Sequence, residues 1–519
     1  MSTLSSGQAL DRFAQIGDLA LRVRRLIDRT WVGVLAALGL TVAVLFGTRN
    51  PGANSFMLIA LGFVITIAMW RRTGIGLPIL PMMAVQNLAV YGMPILVQNE
   101  VILAYPAGLL QTAGVEVLVF SCASGIAWSL AMQVLRPSPA VCYALPDFQH
   151  GGSDKLKRVG MNLVIAGTVY IAAQKLGWLD FLFAMLPAGS ISLLGPLTTG
   201  ITACGLFLVS LFIGTGELNA ADRALFWGLL CVACLINASS FLLSGVTPLL
   251  IAVFTGLFWS KGRVPWRYLL IVAVALSFFN LGKFTMRGRY WQFGDEPAAA
   301  STGGFAQLPA LYGEWTQASF QALLNPVDDT PPSVFQTSAK PSSHQSLLQR
   351  VNNLQNLLFV IDAVEVEGVR PLGGETSALI PPLLVPRIMW PDKPRTHAGQ
   401  VLLNVHFGRQ DLLSTFKTYV AWGLIPEAYG NFGPLMGSAL IGAAIGVFLA
   451  WLENVTARKL LLSLEGFVSF TVLLGMVNSF EMVASVLVTT IFQSVVPIVA
   501  VSLPFLRRMQ ISSLVRAQP

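Results

Sequence analysis

Residues 107–134 read AGLLQTAGVEVLVFSCASGIAWSLAMQV, an apolar stretch whose one charge is Glu116. It exceeds the about 20 residues that a helix needs to cross about 30 Å of hydrocarbon. Its apolar positions run on without alternating, which predicts a helix and not a barrel strand. In lipid only a helix or a closed barrel satisfies its own backbone hydrogen bonds.

Similar runs extend outward on both sides, over about 31–47, 55–70, 76–97, 159–174, 197–215, 226–243, 248–259, 266–281, 434–452, 461–477 and 483–503. The expected fold is an all-α polytopic membrane protein with about twelve spans, within a range of about 10–14. Phe181–Leu194, broken by Pro187, is expected to lie at the interface. Composition agrees: 54 % of residues are apolar and 11 % charged, against about 25 % charged in soluble domains. The first 30 residues carry charges throughout and have neither an apolar core nor a small-residue cleavage site, so no cleaved signal is expected.

Orientation follows from the cations, because Lys and Arg near span ends resist translocation. Arg71 and Arg72, Arg136 with Lys155, Lys157 and Arg158, Lys261 with Arg263 and Arg267, Arg458 with Lys459, and Arg507 with Arg508 alternate with poorly charged turns. They predict both termini in the cytoplasm of a bacterial inner-membrane protein, and a long segment, 283–431, on the outside. Acidic and basic residues nearly balance in that segment, so the net charge of +8 belongs to the inner face. That charge reads as topology and attraction to anionic lipid, with no nucleic-acid partner implied. The expected division is a cytoplasmic segment 1–30, a nine-span bundle 31–282, the external loop 283–431, C-terminal spans 432–505 and a cytoplasmic tail 506–519.

Cys122, Cys142, Cys204, Cys231 and Cys234 fall in spans or an inner loop, which implies no disulfide framework. Cys231 and Cys234 sit in an apolar run without nearby histidines and are read as packing. Glu116 and Glu465 interrupt apolar helices and are expected to face the bundle interior, either as functional groups or as hydrogen-bonding partners. Gln111, Asn237 and Asn280 are read as helix glue.

Chemistry is expected in the external segment. Residues 292–344 are rich in Pro, Ala, Ser, Thr and Gly and read as a loose excursion. From Gln345, Leu347, Leu348, Val351, Leu354, Leu357, Leu358 and Ile361 recur at helical spacing, which predicts an amphipathic helix near the membrane surface. Residues 386–397 then read PRIMWPDKPRTH, where three prolines and Trp390 predict a stiff turn gathering Arg387, Lys393 and Arg395. Guanidinium forks and an ammonium suit a pyrophosphate; the alternatives are snorkelling to lipid phosphates or pairing with Asp392. In 415–433, TFKTYVAWGLIPEAYGNFG, Glu427 and Asn431 would share a helix face at the outer boundary of the membrane. Desolvation there would raise the Glu427 pKa and make it a better base, unless it is a plain helix-terminus carboxylate. His397 and His406 are further candidate bases. No H-E-x-x-H, paired aspartates, phosphate loop or nucleophile elbow stands in the segment, so no metal or cofactor is implied.

The order of these features resembles the Wzy-type O-antigen and exopolysaccharide repeat-unit polymerases. The likeness rests on many spans, one large late external loop, the proline-bounded segment around Arg387, Trp390 and Lys393, and Glu427-Ala428-Tyr429-Gly430-Asn431-Phe432-Gly433 leading into a span. It covers chiefly 350–450. The resemblance implies a GT-C-like membrane glycosyltransferase that joins undecaprenyl-pyrophosphate-linked glycans on the periplasmic face. It further implies external-loop arginines on the pyrophosphate, with Arg387, Arg350 and Arg395 the matching positions beside Lys393. Glu427 or His397 would act as base, Arg387 would stabilise the leaving group, and Trp390, Tyr429 and Asn431 would contact glycan. A chain-length regulator and a flippase are the partners it suggests. An O-antigen ligase and a lipid-linked sugar transporter are the competing readings. Transporters commonly carry internal repeats, and residues 30–280 and 430–505 show no clear repetition.

Overall fold

The computed structural model describes residues 16–136, 139–144, 153–175, 177–186, 191–261, 263–290, 307–324, 352–385, 389–390, 392–416, 420–460, 463–479, 482–503 and 506–510. The first helix, α1 (Ile16–Gly47), begins well before the expected span and carries the charged residues from Asp18 to Arg29 as its opening turns. α2 (Ala53–Thr73) follows, then α3 (Ile79–Asn87), which passes through a π turn (Leu88–Gly92) into α4 (Met93–Leu96). A short α5 (Glu100–Leu103) leads to α6 (Ala107–Val134). α7 (Ser153–Lys175), α8 (Asp180–Met185), α9 (Ile191–Thr215), α10 (Ala220–Ala238), α11 (Thr247–Lys261) and α12 (Trp266–Tyr290) complete the first bundle.

α13 (Leu308–Leu324) packs on α12, with Trp315 donating to the Phe279 carbonyl at 2.8 Å. Next come α14 (Leu354–Glu365), α15 (Glu375–Ala378), α16 (Ile380–Leu384), α17 (Ala398–His406) and α18 (Leu424–Phe432). The last helices are α19 (Met436–Thr456), α20 (Leu464–Ser479) and α21 (Ala484–Ser502).

Among the described residues eight helices are long and apolar enough to cross a membrane, and four shorter apolar helices (200–215, 247–261, 464–476 and 484–500) fall on other expected spans. Outward faces carry large apolar side chains such as Val32, 78 % exposed, and Leu270, 67 % exposed, as a lipid-facing surface requires. α8 exposes Phe181, Leu182 and Met185, in keeping with an interfacial segment.

Small residues set the centre of the bundle. A Cβ at Gly446 of α19 would stand 2.2 Å from the Ser124 carbonyl oxygen of α6, and one at Gly114 of α6 would stand 2.7 Å from the Ser55 Cα of α2. In lipid no hydrophobic force drives helices together, so such close backbone approach gives them their dispersion contacts. At one end a buried carboxylate ties three helices: Glu453 accepts from the indoles of Trp70 and Trp128 at 3.1–3.2 Å and from the backbone N–H groups of Ile75 and Gly76 at 2.7 and 2.9 Å.

The same end holds a feature that the sequence pattern does not predict, a two-stranded antiparallel ribbon of β1 (Val141–Ala144) and β2 (Arg507–Gln510). Lys459 donates to the Pro139 carbonyl at 2.9 Å beside it, and Glu465 accepts from the Tyr143 N–H at 3.1 Å. Arg71, Arg72, Arg136, Lys459, Arg507 and Arg508 therefore gather at this end.

Near the other end of α6, Glu116 accepts from the Leu435 N–H at 2.7 Å and from the Ser438 hydroxyl at 2.5 Å. Glu116 thus faces the bundle interior, where it caps the start of α19 and fixes where the chain re-enters the bundle. Over this end lie α14 to α18. The helix expected along the membrane surface is α14, but its apolar stripe turns inward: Leu354, Leu357, Leu358, Val360 and Ile361 are all fully buried, against α6 and α18. Burying that stripe against protein removes the same apolar area from water without using lipid. The π turn contributes a spare acceptor, and the Val90 carbonyl takes the Asn353 N–H at 3.1 Å.

Candidate functional site

The cap of α14 to α18 holds two groups of polar residues, one at each end of α17. The first surrounds Glu427. The run Pro426 to Gly433 folds locally as its residue types demand: Pro426 sits in the first turn of α18, where no N–H is needed, and Gly433, at φ +76°, stops the helix ahead of Pro434.

Glu427 and Asn431 do lie one turn apart on this helix, and both are buried. The Glu427 carboxylate accepts from the Thr376 hydroxyl at 2.7 Å and from the Ala484 N–H, the first of α21, at 2.5 Å. Asn431 donates to Thr376 Oγ1 at 2.7 Å, and its backbone carbonyl takes the Gly373 N–H at 2.7 Å. Burial pushes the Glu427 carboxyl up to about 7, while its two donors pull the other way. Desolvation wins because two hydrogen bonds and one helix terminus do not replace the full hydration of a carboxylate. In this geometry Glu427 and Asn431 bind α18, α15 and α21 together and reach no open surface.

Tyr429 is buried as well, and its hydroxyl donates to Glu365 Oε1 at 2.8 Å. Trp390 is 42 % exposed beside the more exposed Met389, so of the three residues expected to contact glycan it alone stands at the surface. His397, at the start of α17, is half-buried, with Nδ1 2.6 Å from Gln400 Oε1. Arg395 is exposed nearby. Lys393 is buried instead, its ammonium donating to the Leu383 and Val385 carbonyls, so it ties its own loop. Arg350, Arg387 and His344 lie outside the described residues. His406 caps the far end of α17, with Nε2 2.7 Å from the Arg370 carbonyl oxygen.

The second group lies at that far end, and no sequence motif announces it. Arg409 tucks its guanidinium against two rings, with Cζ 5.3 Å from the Phe359 centroid and 5.9 Å from that of Trp422. Its Nη1 is buried with no hydrogen-bond partner among the described residues. Burial lowers the Arg409 pKa to about 10, a shift that nearby Tyr105 opposes. Tyr105 is pushed up to about 12, first by burial and then by Asp362. Asp362 stands three residues from Phe359 on α14, partly exposed, and burial raises its carboxyl above the ordinary range. Among the ion pairs of the described residues none joins it to Arg409.

The Trp422 ring that walls Arg409 is itself fixed, donating from its indole to Asn404 Oδ1 at 2.8 Å. Asn356 holds the Ala421 and Trp422 carbonyls at 2.8 and 3.2 Å. A cation with a buried, unused donor between two aromatic walls is suited to bind an anion. No motif marks Arg409 in the sequence, where it stands in the short run Gly408-Arg409-Gln410-Asp411.

Comparison of the chain with protein-family models, curated proteins and solved structures finds no match.

Proposed function

We propose that the chain is a membrane glycosyltransferase that joins lipid-pyrophosphate-linked oligosaccharides, a repeat-unit polymerase with about twelve spans and its cap on the outer face of a bacterial inner membrane. The observation that carries this reading is the buried Nη1 of the partly exposed Arg409, a donor without a partner among the described residues. An unpaired buried donor costs about 1–3 kcal/mol, and that cost is recovered when an anion arrives. The apolar bundle beneath lets a lipid tail approach from the bilayer while its pyrophosphate reaches the cap. The cap also lies at the bundle end away from the gathered cations, which supports an outer location under the positive-inside bias.

In this mechanism the donor's pyrophosphate docks on Arg409. A hydroxyl of the second lipid-linked glycan forms the new C–O bond at the anomeric carbon as the bond to phosphate breaks. The hydroxyl proton passes to Asp362, and the lipid pyrophosphate departs with the electron pair. Arg409 favours the transition state because charge on the leaving oxygen grows along the reaction.

His397 and Arg395 stand at the opposite end of α17, about 13 Å away by helix rise. We assign them to the second lipid-linked substrate, and Trp390 to sugar stacking at the rim. Glu427 is a positioning residue that holds α15 and α21 in place.

The test is incubation of purified protein with synthetic undecaprenyl-pyrophosphate oligosaccharide and gel analysis of the product ladder. Arg409→Ala is expected to cut ladder formation by about 10²–10³, the usual loss for one transition-state donor, at unchanged protein yield. Arg409→Lys should recover little, since an ammonium lacks the planar fork. A normal ladder from Arg409→Ala refutes the assignment.

A further inference from the structure

The bundle end away from the cap carries a cleft unrelated to the proposed chemistry. It lies between α1 and α2, has a volume of about 560 Å³, and is lined by Arg24, Asp28, Trp31, Ala68, Arg71 and Arg72. Three guanidiniums face one carboxylate there. Arg24, Asp28 and Trp31 fall at i, i+4 and i+7 on α1, so one face of the helix supplies all three. Asp28 pairs with Arg71, whose guanidinium also lies 5.7 Å from the Trp31 ring centroid. Arg24 donates through Nε to the Arg71 carbonyl, which secures its stem and leaves the two terminal nitrogens for another acceptor. Arg72 has no hydrogen-bond or ionic partner among the described residues.

The position of the cleft in the membrane narrows the ligand. Trp31 starts the apolar part of α1, and Trp70 ends that of α2, so the cleft sits where hydrocarbon gives way to headgroups. Beyond Trp31, α1 exposes Val32, Leu35, Leu40 and Val44 and packs little against the bundle. A molecule can thus enter sideways from the bilayer. Arg24 lies seven residues before Trp31, about 10 Å along the axis, which places its base just beyond a headgroup layer of about 5–8 Å, within reach of its long side chain. The guanidinium fork matches phosphate oxygens in pairs, and an interfacial tryptophan ring covers the glycerol region of a lipid.

We propose that this cleft binds the phosphate of an anionic phospholipid headgroup, with Arg24 and Arg72 as its ligands and with Arg71, held by Asp28, shaping the wall. The shared chemistry is a phosphate, and its source is tested directly. The full-length protein is purified in detergent and titrated with phosphatidylglycerol, with phosphatidylcholine, and separately with inorganic phosphate, while bound lipid is counted by native mass spectrometry and unfolding is followed by tryptophan fluorescence. Phosphatidylglycerol is expected to be retained at least tenfold more strongly than phosphatidylcholine and to raise the unfolding temperature. Arg24→Gln with Arg72→Gln should lose that preference, and Arg72→Gln alone, a change at an exposed side chain, should weaken it without harming the fold. Arg25→Gln, on another face of α1, should leave it intact. Equal retention of both lipids, an unchanged preference in the double variant, or stabilisation by millimolar inorganic phosphate equal to that by the lipid would overturn the proposal. The lipid readings do not involve glycan turnover, so they stand or fall apart from the proposed activity.

Discussion

Replacing Glu427 by Gln tests the physics of the cap directly. The folded protein holds the Glu427 proton up to about pH 7, whereas the unfolded chain releases it near the ordinary value of 4.5. The difference is worth about 3 kcal/mol in favour of the protonated folded form. The sign follows from proton counts: between pH 4.5 and 7 the folded state binds more protons than the unfolded one, so stability falls as pH rises and levels off above 7. Gln reproduces the neutral acid, with one acceptor oxygen and a donor in place of the carboxyl hydroxyl, and removes the titration. The curves should therefore diverge as pH rises. Glu427→Gln is expected to match the parent at pH 4.5 and to be about 3 kcal/mol more stable at pH 8. Thermal unfolding in detergent, followed by tryptophan fluorescence at closely spaced pH values, gives the difference curve directly, so other titrating groups cancel. Parallel curves for the two proteins would refute the claim that a desolvated carboxylate lies at the centre of the cap.

Three further outcomes are expected. Glu453→Ala strands two indole and two backbone donors, a loss of about 4 kcal/mol or more, and should leave little folded protein in a detergent extract measured by size-exclusion chromatography. Gly446→Ala drives a Cβ into the Ser124 carbonyl and should destabilise by about 1–3 kcal/mol, whereas Gly108→Ala, with nothing within 4 Å, should be neutral by the same unfolding assay. If Asp362 is the proton acceptor, ladder formation rises with pH through a value above the ordinary carboxylate range, and Asp362→Asn removes that limb while slowing turnover by about 10²–10⁴.

Membrane character was legible because it depends on composition and run length, which are local properties. The expected spans 55–70 and 107–134 lie inside long apolar helices of the structure, and 434–452 overlaps a third, Met436–Thr456. The helix carrying Glu427 and Asn431 was likewise readable, since spacing along one turn is fixed by covalent geometry. What lay beyond reach was every property that depends on which surface meets which. The amphipathic stripe of α14 is the same whether it lies on lipid or on α6, and only the neighbouring helices decide. Lys393 reads as a ligand for phosphate in a list of cations, but loop geometry turns it onto two carbonyls of its own turn. Arg409 shows no motif at all.

The sequence by itself determined that this chain leaves water, which long apolar runs become helices, and where its cations accumulate, because hydrophobicity and charge act residue by residue; the helix Leu308–Leu324, in a stretch that reads as a loose excursion, was not among them. Tertiary structure alone decided that Glu427 is sealed inside the cap while Arg409 keeps an unused donor between two rings. Desolvation and hydrogen-bond satisfaction are set by three-dimensional neighbours, which for Glu427 come from α15 and α21, 51 and 57 residues away along the chain, and for Arg409 from α14 and the segment leading into α18.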